Sequence, residues 1–314
     1  MSRVLTKLTP QTSRLEWLRH RQAGIGGSDA AAVLGLSRWK SPLDVWLDKT
    51  KEITESGEQS EAAYWGSVLE DIVAAEFSKR TGLAVRRRNA ILMHDEYDFV
   101  LANIDRELVG QKVGLECKTA GAYKKEEWSE EEIPAEYIVQ CQHYMAVTGY
   151  EAWWIACLIG GNQFIYKKIE RDEEFIQMLL ETEKNFWEQY VMTGTMPPVD
   201  GSFAAVDALN AMYPEAEAGT ELILSASQEE LLEERQELSN LADSCDSRIQ
   251  EIDNQLKAAM GSKESATGQR FSIKWGNFSR TAVDAKKLKA ELPEIYAQYS
   301  KVNNGRTFRI KEIG

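Results

Sequence analysis

ANIDRELVGQKVGLECKTA, Ala102–Ala120, is the stretch that decides the fold. It reads as strand, turn, strand, with Asp105 ending the first strand. Glu116 and Lys118 stand two apart on the second strand, so they face one side of a sheet. Cys117 faces the other side, in step with Val113 and Leu115. The pattern is an acid–x–lysine pair beside an acid from a neighbouring strand. Two carboxylates offer hard oxygen ligands to one or two Mg²⁺ ions. Such ions activate water and offset charge in phosphodiester hydrolysis. The lysine can orient or deprotonate the attacking water, and the Cys117 backbone carbonyl is available to the metal. A salt-bridged surface pair is the other reading of Glu116 and Lys118.

Working outward, WGSVLED puts Glu70 and Asp71 on a helix that precedes the strands, within reach of such a site. YIVQCQHYM puts Gln140 and Tyr144 on one face of the helix that follows, at i and i+4. RQAGIGGSDAAAVLG, Arg21–Gly35, is a glycine-rich turn running into a helix, an arrangement that suits a phosphate. It lacks the Gly-Lys-Ser/Thr of a P-loop, and Asp29 stands where GxGxxG needs its third glycine, so a nucleotide cofactor is not expected. A tight turn capped by Ser28 or Asp29 is the alternative. Trp39, between Arg38 and Lys40, reads either as a base-stacking side chain at a DNA end or as ordinary packing. Arg86–Arg88 suits a DNA backbone or a charged edge strand. His20, His94 and His143 are scattered and read as structural or solvated.

The flanking periodicities give mixed α/β structure through residue 195. Helices are expected at TSRLEWLRHRQ, SDAAAVLGL, SPLDVWLDKT and residues 58–82, the last closed by Gly82. Short strands follow in LAVRRRNAILMHD and YDFVLANIDREL, then a helix ending at Gly149. A hairpin is expected around Gly160-Gly161-Asn162, and a helix ending near Gly194. Residues 196–222, rich in proline and glycine, read as a linker. The 223–314 segment reads as a coiled-coil-like helix with Leu231, Leu238, Leu241, Ile249, Ile252 and Leu256 near one stripe. A small basic α+β extension ends it, with a last strand at RTFRIKEI.

The chain has 314 residues, 43% of them hydrophobic, enough for a sizeable core. No apolar run long enough for a membrane span or signal peptide is present. The four cysteines show no metal-ligand spacing and read as thiols of a reducing cytoplasm. Net charge is −13, which argues against general nucleic-acid binding. The charge is uneven, however: residues 1–50 carry +4 and residues 257–314 carry +7. Local basic surfaces bind a polyanion while the total stays negative.

Taken in order, the Arg and Gly-rich SD helix, WGxxxE, Asp105, ECK and QxQxY resemble the λ exonuclease/YqaJ-type viral recombinase branch of the PD-(D/E)xK nucleases. The motifs run from about Trp17 to Tyr144 and the resemblance extends to about Met192; the proline of the superfamily's name is replaced by Ile104. The resemblance implies a restriction-endonuclease-like core, a mixed central sheet flanked by helices, over residues 1–195. It implies Mg²⁺ dependence, with Mn²⁺ as a substitute, and 5′→3′ digestion of linear duplex DNA. It implies a homotrimer, a single-strand annealing protein as partner, and a phage or prophage origin with action in a bacterial cytoplasm. By position, Asp105 and Glu116 would be metal ligands, Lys118 the catalytic lysine, Glu70 the helix carboxylate and Gln140 the helix glutamine. Arg21 and Ser28 would contact a 5′-terminal phosphate. An endonuclease of the same fold and a non-catalytic DNA-binding scaffold of an annealing complex are the alternatives.

Overall fold

The structure, a computed structural model, describes residues 2–9, 11–52, 60–128, 132–302 and 305–313. The chain divides into two units, residues 1–213 and 214–314.

In the first unit, a five-stranded sheet runs in the order β2–β5–β6–β7–β8. Its members are β2 (Val85–Arg87), β5 (Arg106–Leu108), β6 (Val113–Ala120), β7 (Ala152–Ile159) and β8 (Gln163–Glu170). The pair β6–β7 is parallel and the other pairs are antiparallel. A parallel pair needs a crossover, and α5 (Ala135–Thr148) supplies it, closed by Gly149 in the left-handed region. A smaller sheet joins β1 (Arg3–Lys7), β3 (Ala90–Met93) and β4 (Leu101–Ala102). The mixed central sheet flanked by helices is the class expected from the sequence.

Strand β6 separates two cores. Val113, Leu115 and Cys117 turn to α4 (Glu61–Thr81), where Val73, Ala74 and Phe77 meet them. The opposite face turns to α5, whose Cys141, Tyr144 and Met145 pack with Trp153 and Ile155 of β7. Gly114 lies under the Trp153 indole: a Cβ there would stand 2.3 Å from the ring. Apolar residues on both faces are what a sheet covered by helices on both sides requires.

Helices α1 (Arg14–Gln22), α2 (Gly27–Val33) and α3 (Pro42–Thr50) precede α4, and α6 (Glu173–Phe186) follows the sheet. Ser13, Ser41, Ser60 and Asp172 cap α1, α3, α4 and α6 by accepting from the third helical N–H. A π-helical turn, Trp187–Val191, extends α6. Residues 58–59, expected in the α4 helix, lie outside the described residues.

Four sequence expectations are corrected. β1, not anticipated, adds an antiparallel edge to β3. Asp105 does not end a strand; it stands between β4 and β5. The stretch expected as a linker carries α7 (Phe203–Met212), which buries Ala205 and Ala208 within the first unit. The last strand does not form: residues 305–313 adopt no regular element.

The second unit holds α8 (Ala226–Met260), a short hairpin of β9 (Ser265–Thr267) and β10 (Ser272–Lys274), then α9 (Ala285–Glu291) and α10 (Pro293–Tyr299). Met260 is the one buried residue among its described residues. Among the described residues, no helix is long and apolar enough to cross a membrane.

Candidate active site

A cavity of about 140 Å³ is lined by Arg21, Gly26, Gly27, Ser28, Asn103, Asp105, Glu116, Gln140 and Tyr144, with Ile91 and Leu101. Its residues arrive from the end of α1, the start of α2 and the loop between them, from β3 and β4, from the link between β4 and β5, from β6 and from α5.

Glu116 is buried, and a buried carboxylate requires partners. Its Oε1 accepts from Gln140 Nε2 at 2.8 Å and from the Lys118 ammonium at 2.6 Å. Lys118 also donates to Gln140 Oε1 at 3.0 Å, and Gln140 Nε2 donates to the Tyr144 hydroxyl at 2.9 Å. One glutamine thus ties β6 to α5. Glu116 Oε2 is buried without a hydrogen-bond partner. Asp105 Oδ2 accepts from the Cys117 N–H at 2.8 Å. Within a strand the N–H and C=O of one residue point to the same edge, so the Cys117 carbonyl faces the Asp105 side.

Burial raises the Asp105 pKa to about 7, and the Glu116 charge beside it adds to the rise. Burial disfavours the Lys118 ammonium, but Glu116 and Asp105 outweigh it and hold the pKa above the ordinary value. The lysine is therefore a cation at neutral pH. Two carboxylates that repel each other, one with an orphaned oxygen, and a backbone carbonyl on the same side form a hard-donor set that fits a divalent cation. Among the described residues, no cluster of three or more His, Cys, Asp or Glu side chains could hold a metal; the donor set here is two carboxylates plus the carbonyl.

Glu70 stands just outside the cavity. It pairs with the buried Arg106, which also donates to the Asp105 carbonyl at 2.7 Å and to Asp71 at 2.5 Å. Burial raises the Glu70 pKa, as does the Asp105 charge, which places the two carboxylates within electrostatic reach. Arg106 was not foreseen; its signal was its place directly after Asp105.

On the opposite wall, Arg21 Nη2 donates to Ser28 Oγ at 2.9 Å. Behind them lies buried Asp29, which accepts from Lys40 at 2.6 Å, from Lys49 at 2.7 Å and from the Gly26 N–H at 3.2 Å. Burial opposes the Asp29 charge, but Lys40, Lys49 and Arg21 outweigh it and hold the carboxyl far below its usual range. The glycines of this loop have a packing reason. A Cβ on Gly24 would meet the Phe99 carbonyl oxygen at 2.3 Å, and one on Gly27 the Tyr144 ring at 2.5 Å.

Arg38 and Trp39 do not reach the cavity. Arg38 pairs with Glu127 at 2.5 Å, and the Lys124 ammonium sits 4.5 Å from the centre of the exposed Trp39 ring. His143 is buried between Glu183 at 2.7 Å and the Leu101 carbonyl at 2.8 Å, a structural role.

Residues 16–151 match the YqaJ-like viral recombinase domain. The YqaJ protein of Bacillus subtilis (strain 168) is 45% identical over 312 residues, covering 99% of this chain and 98% of the relative. Among solved structures, an alkaline exonuclease of Laribacter hongkongensis gives a TM-score of 0.49 at 21% identity, over 57% of this chain and 93% of that one. A phage-related exonuclease of Haemophilus somnus 129PT gives 0.40 at 14% identity, over 55% and 96%.

Proposed function

The chain belongs to the YqaJ-like viral recombinase family, and from that membership we propose that it is a deoxyribonuclease serving recombination. One observation carries the reading: Asp105, Glu116 and Gln140 share a single cavity with Arg21 and Ser28. The first set, with Lys118 bonded to it, suits a reacting phosphodiester, and the second suits a terminal phosphate.

In this reading Asp105 and Glu116, with the Cys117 carbonyl, would hold Mg²⁺ or Mn²⁺. The cation would supply an activated water and offset negative charge on the phosphate. Lys118 stays protonated and donates toward the attacking water and the phosphate oxygens. Gln140 fixes the rotamers of both Glu116 and Lys118. Glu70, held by Arg106, adds negative charge behind Asp105. Arg21 offers charge-assisted hydrogen bonds to a 5′-phosphate, and Ser28 a hydroxyl. A terminal phosphate anchored beside the reacting one makes the enzyme an exonuclease, digesting linear duplex 5′→3′ and leaving a 3′ overhang. A single-strand annealing protein is the partner that would take up that overhang. A trimer and a phage or prophage setting complete the proposal.

The test is digestion with Mg²⁺ of three DNAs: a 5′-phosphorylated linear duplex, the same duplex with 5′-hydroxyl, and a closed circle. The expected result is rapid loss of the first, slower loss of the second and an intact circle, all activity vanishing in Glu116→Gln. A cut circle would replace the exonuclease by an endonuclease. No cation-dependent cutting at all would make the protein a binding scaffold.

A further inference from the structure

The second unit lacks a core of its own. About a hundred residues with a single buried side chain cannot offset the entropy of folding by their own burial. Helix α8 is about 52 Å long at 1.5 Å per residue. Leu238, Leu241, Cys245, Ile249, Ile252 and Leu256 follow one another along it in steps of three and four, the spacing of a packed helical seam. The seam is open: Leu238 is 59% exposed, Leu241 62% and Ile249 57%. The short helices α9 and α10 carry a second seam. Leu288, Leu292, Ile295 and Tyr299 stand in steps of four, three and four, and Leu292, Ile295 and Tyr299 are exposed.

The two seams lie in segments of opposite charge. Residues 226–256 hold nine carboxylates against two arginines, a net of −7. Residues 257–314 hold twelve Lys or Arg against five Asp or Glu, a net of +7. Two α8 helices side by side would set −7 against −7, which disfavours their direct pairing. The chain's own α9 and α10 are described, and they leave the α8 seam uncovered. The remaining occupant with complementary charge and a matching apolar seam is the same segment of another copy.

We propose that the acidic seam of α8 is the docking surface for the α9–α10 seam, carried within the basic 257–314 segment, of a second copy of this chain. The contact is heterologous, because the two seams are different surfaces and each copy offers both. A duplex would also attract the basic segment, but it has no apolar face to cover either seam, and α8 repels it.

Cys245 lies in the α8 seam and is exposed, so it reports the contact directly. The full-length wild-type chain is mixed with a full-length chain carrying Cys245→Ser and Leu292→Cys, and the mixture is mildly oxidised. Ile295→Cys replaces Leu292→Cys in a repeat. The Cys245→Ser chain without a new thiol gives the background from the other cysteines. The expected result is an inter-chain disulfide on a non-reducing gel. Its yield falls about tenfold when Lys286, Lys287 and Lys289 of the second chain become Glu, the size of loss that removing close charge pairs produces. It recovers when Glu233, Glu234 and Glu237 of the first chain become Lys. Three results would overturn the proposal. One is a disulfide that forms only within a chain carrying Cys245 and Leu292→Cys together. Another is a yield indifferent to the charge reversals. The third is an inter-chain disulfide no stronger than background, with linear duplex binding weakened by the lysine reversals, which would assign the tail to DNA.

Discussion

At the scale of single residues, on the proposed reading the Asp105–Glu116 pair sets how a cation binds. The Asp105 pKa is raised in the folded state, to about 7 against an ordinary 3.8. The protonated form is the one the fold favours, so this group's contribution to stability is full below the unfolded value and lost as pH rises through the folded one. A cation needs the deprotonated form and reverses that loss. The thermal shift on adding Mg²⁺ is therefore expected to be large at about pH 8 and small at about pH 6, because protons compete for the same oxygens. Differential scanning fluorimetry across pH checks this, and a shift independent of pH would remove Asp105 from the ligand set. Gly27 makes a second residue-scale prediction. Its Cβ position lies 2.5 Å from Tyr144 and 3.1 Å from the Gln140 side chain, so Gly27→Ala should destabilise the fold by about 1–3 kcal/mol. It should also lower the nuclease rate by moving Gln140 off Glu116; denaturant melts and rate assays read the two effects. The sequence made Glu116, Lys118, Gln140 and Tyr144 legible, because strand and helix periodicity places a residue's face without tertiary knowledge. It could not show that Gly27 exists to admit Tyr144, since that partner is more than a hundred residues away.

At the scale of elements, His143 joins three of them: it sits on α5, faces Glu183 of α6 and faces the Leu101 carbonyl of β4. Both ring nitrogens meet oxygens, and the doubly protonated ring can donate to both. Burial opposes that charge, but Glu183 and the two hydrogen bonds outweigh it, and the pKa rises above the ordinary 6.5. The resulting stability is full below the unfolded value and lost as pH rises through the folded value. Stability of the wild type should fall, as pH rises above the ordinary histidine value, more steeply than that of His143→Gln, as urea midpoints would show. Equal slopes would make the ring neutral. Helix ends were legible where Gly82 and Gly149 are local signals. β1 and α7 were not: one strand is defined by its pairing with β3, and α7 hides among prolines and glycines whose turns flank it.

At the scale of the whole molecule, all buried residues among those described but Met260 lie at or before Tyr213. A chain ending at Tyr213 should therefore keep a cooperative melt and native circular dichroism; an unfolded product would show that the second unit supplies core. The net charge of −13 repels a polyanion at a distance, while the cavity itself is polarised. Arg21, with Lys40 and Lys49 behind it, forms a cationic wall, and Asp105 and Glu116 form an anionic one. On the proposed reading this imposes an order of arrival. A phosphate can settle on the Arg21 wall unaided, but its neighbour along the strand meets two carboxylates, whose charge a bound divalent ion would offset. Strand ends would dock by their terminal phosphate in the absence of metal, yet remain out of reach of Lys118. The metal then acts as the admission step for the bond to be cut, and capture and commitment become separable events.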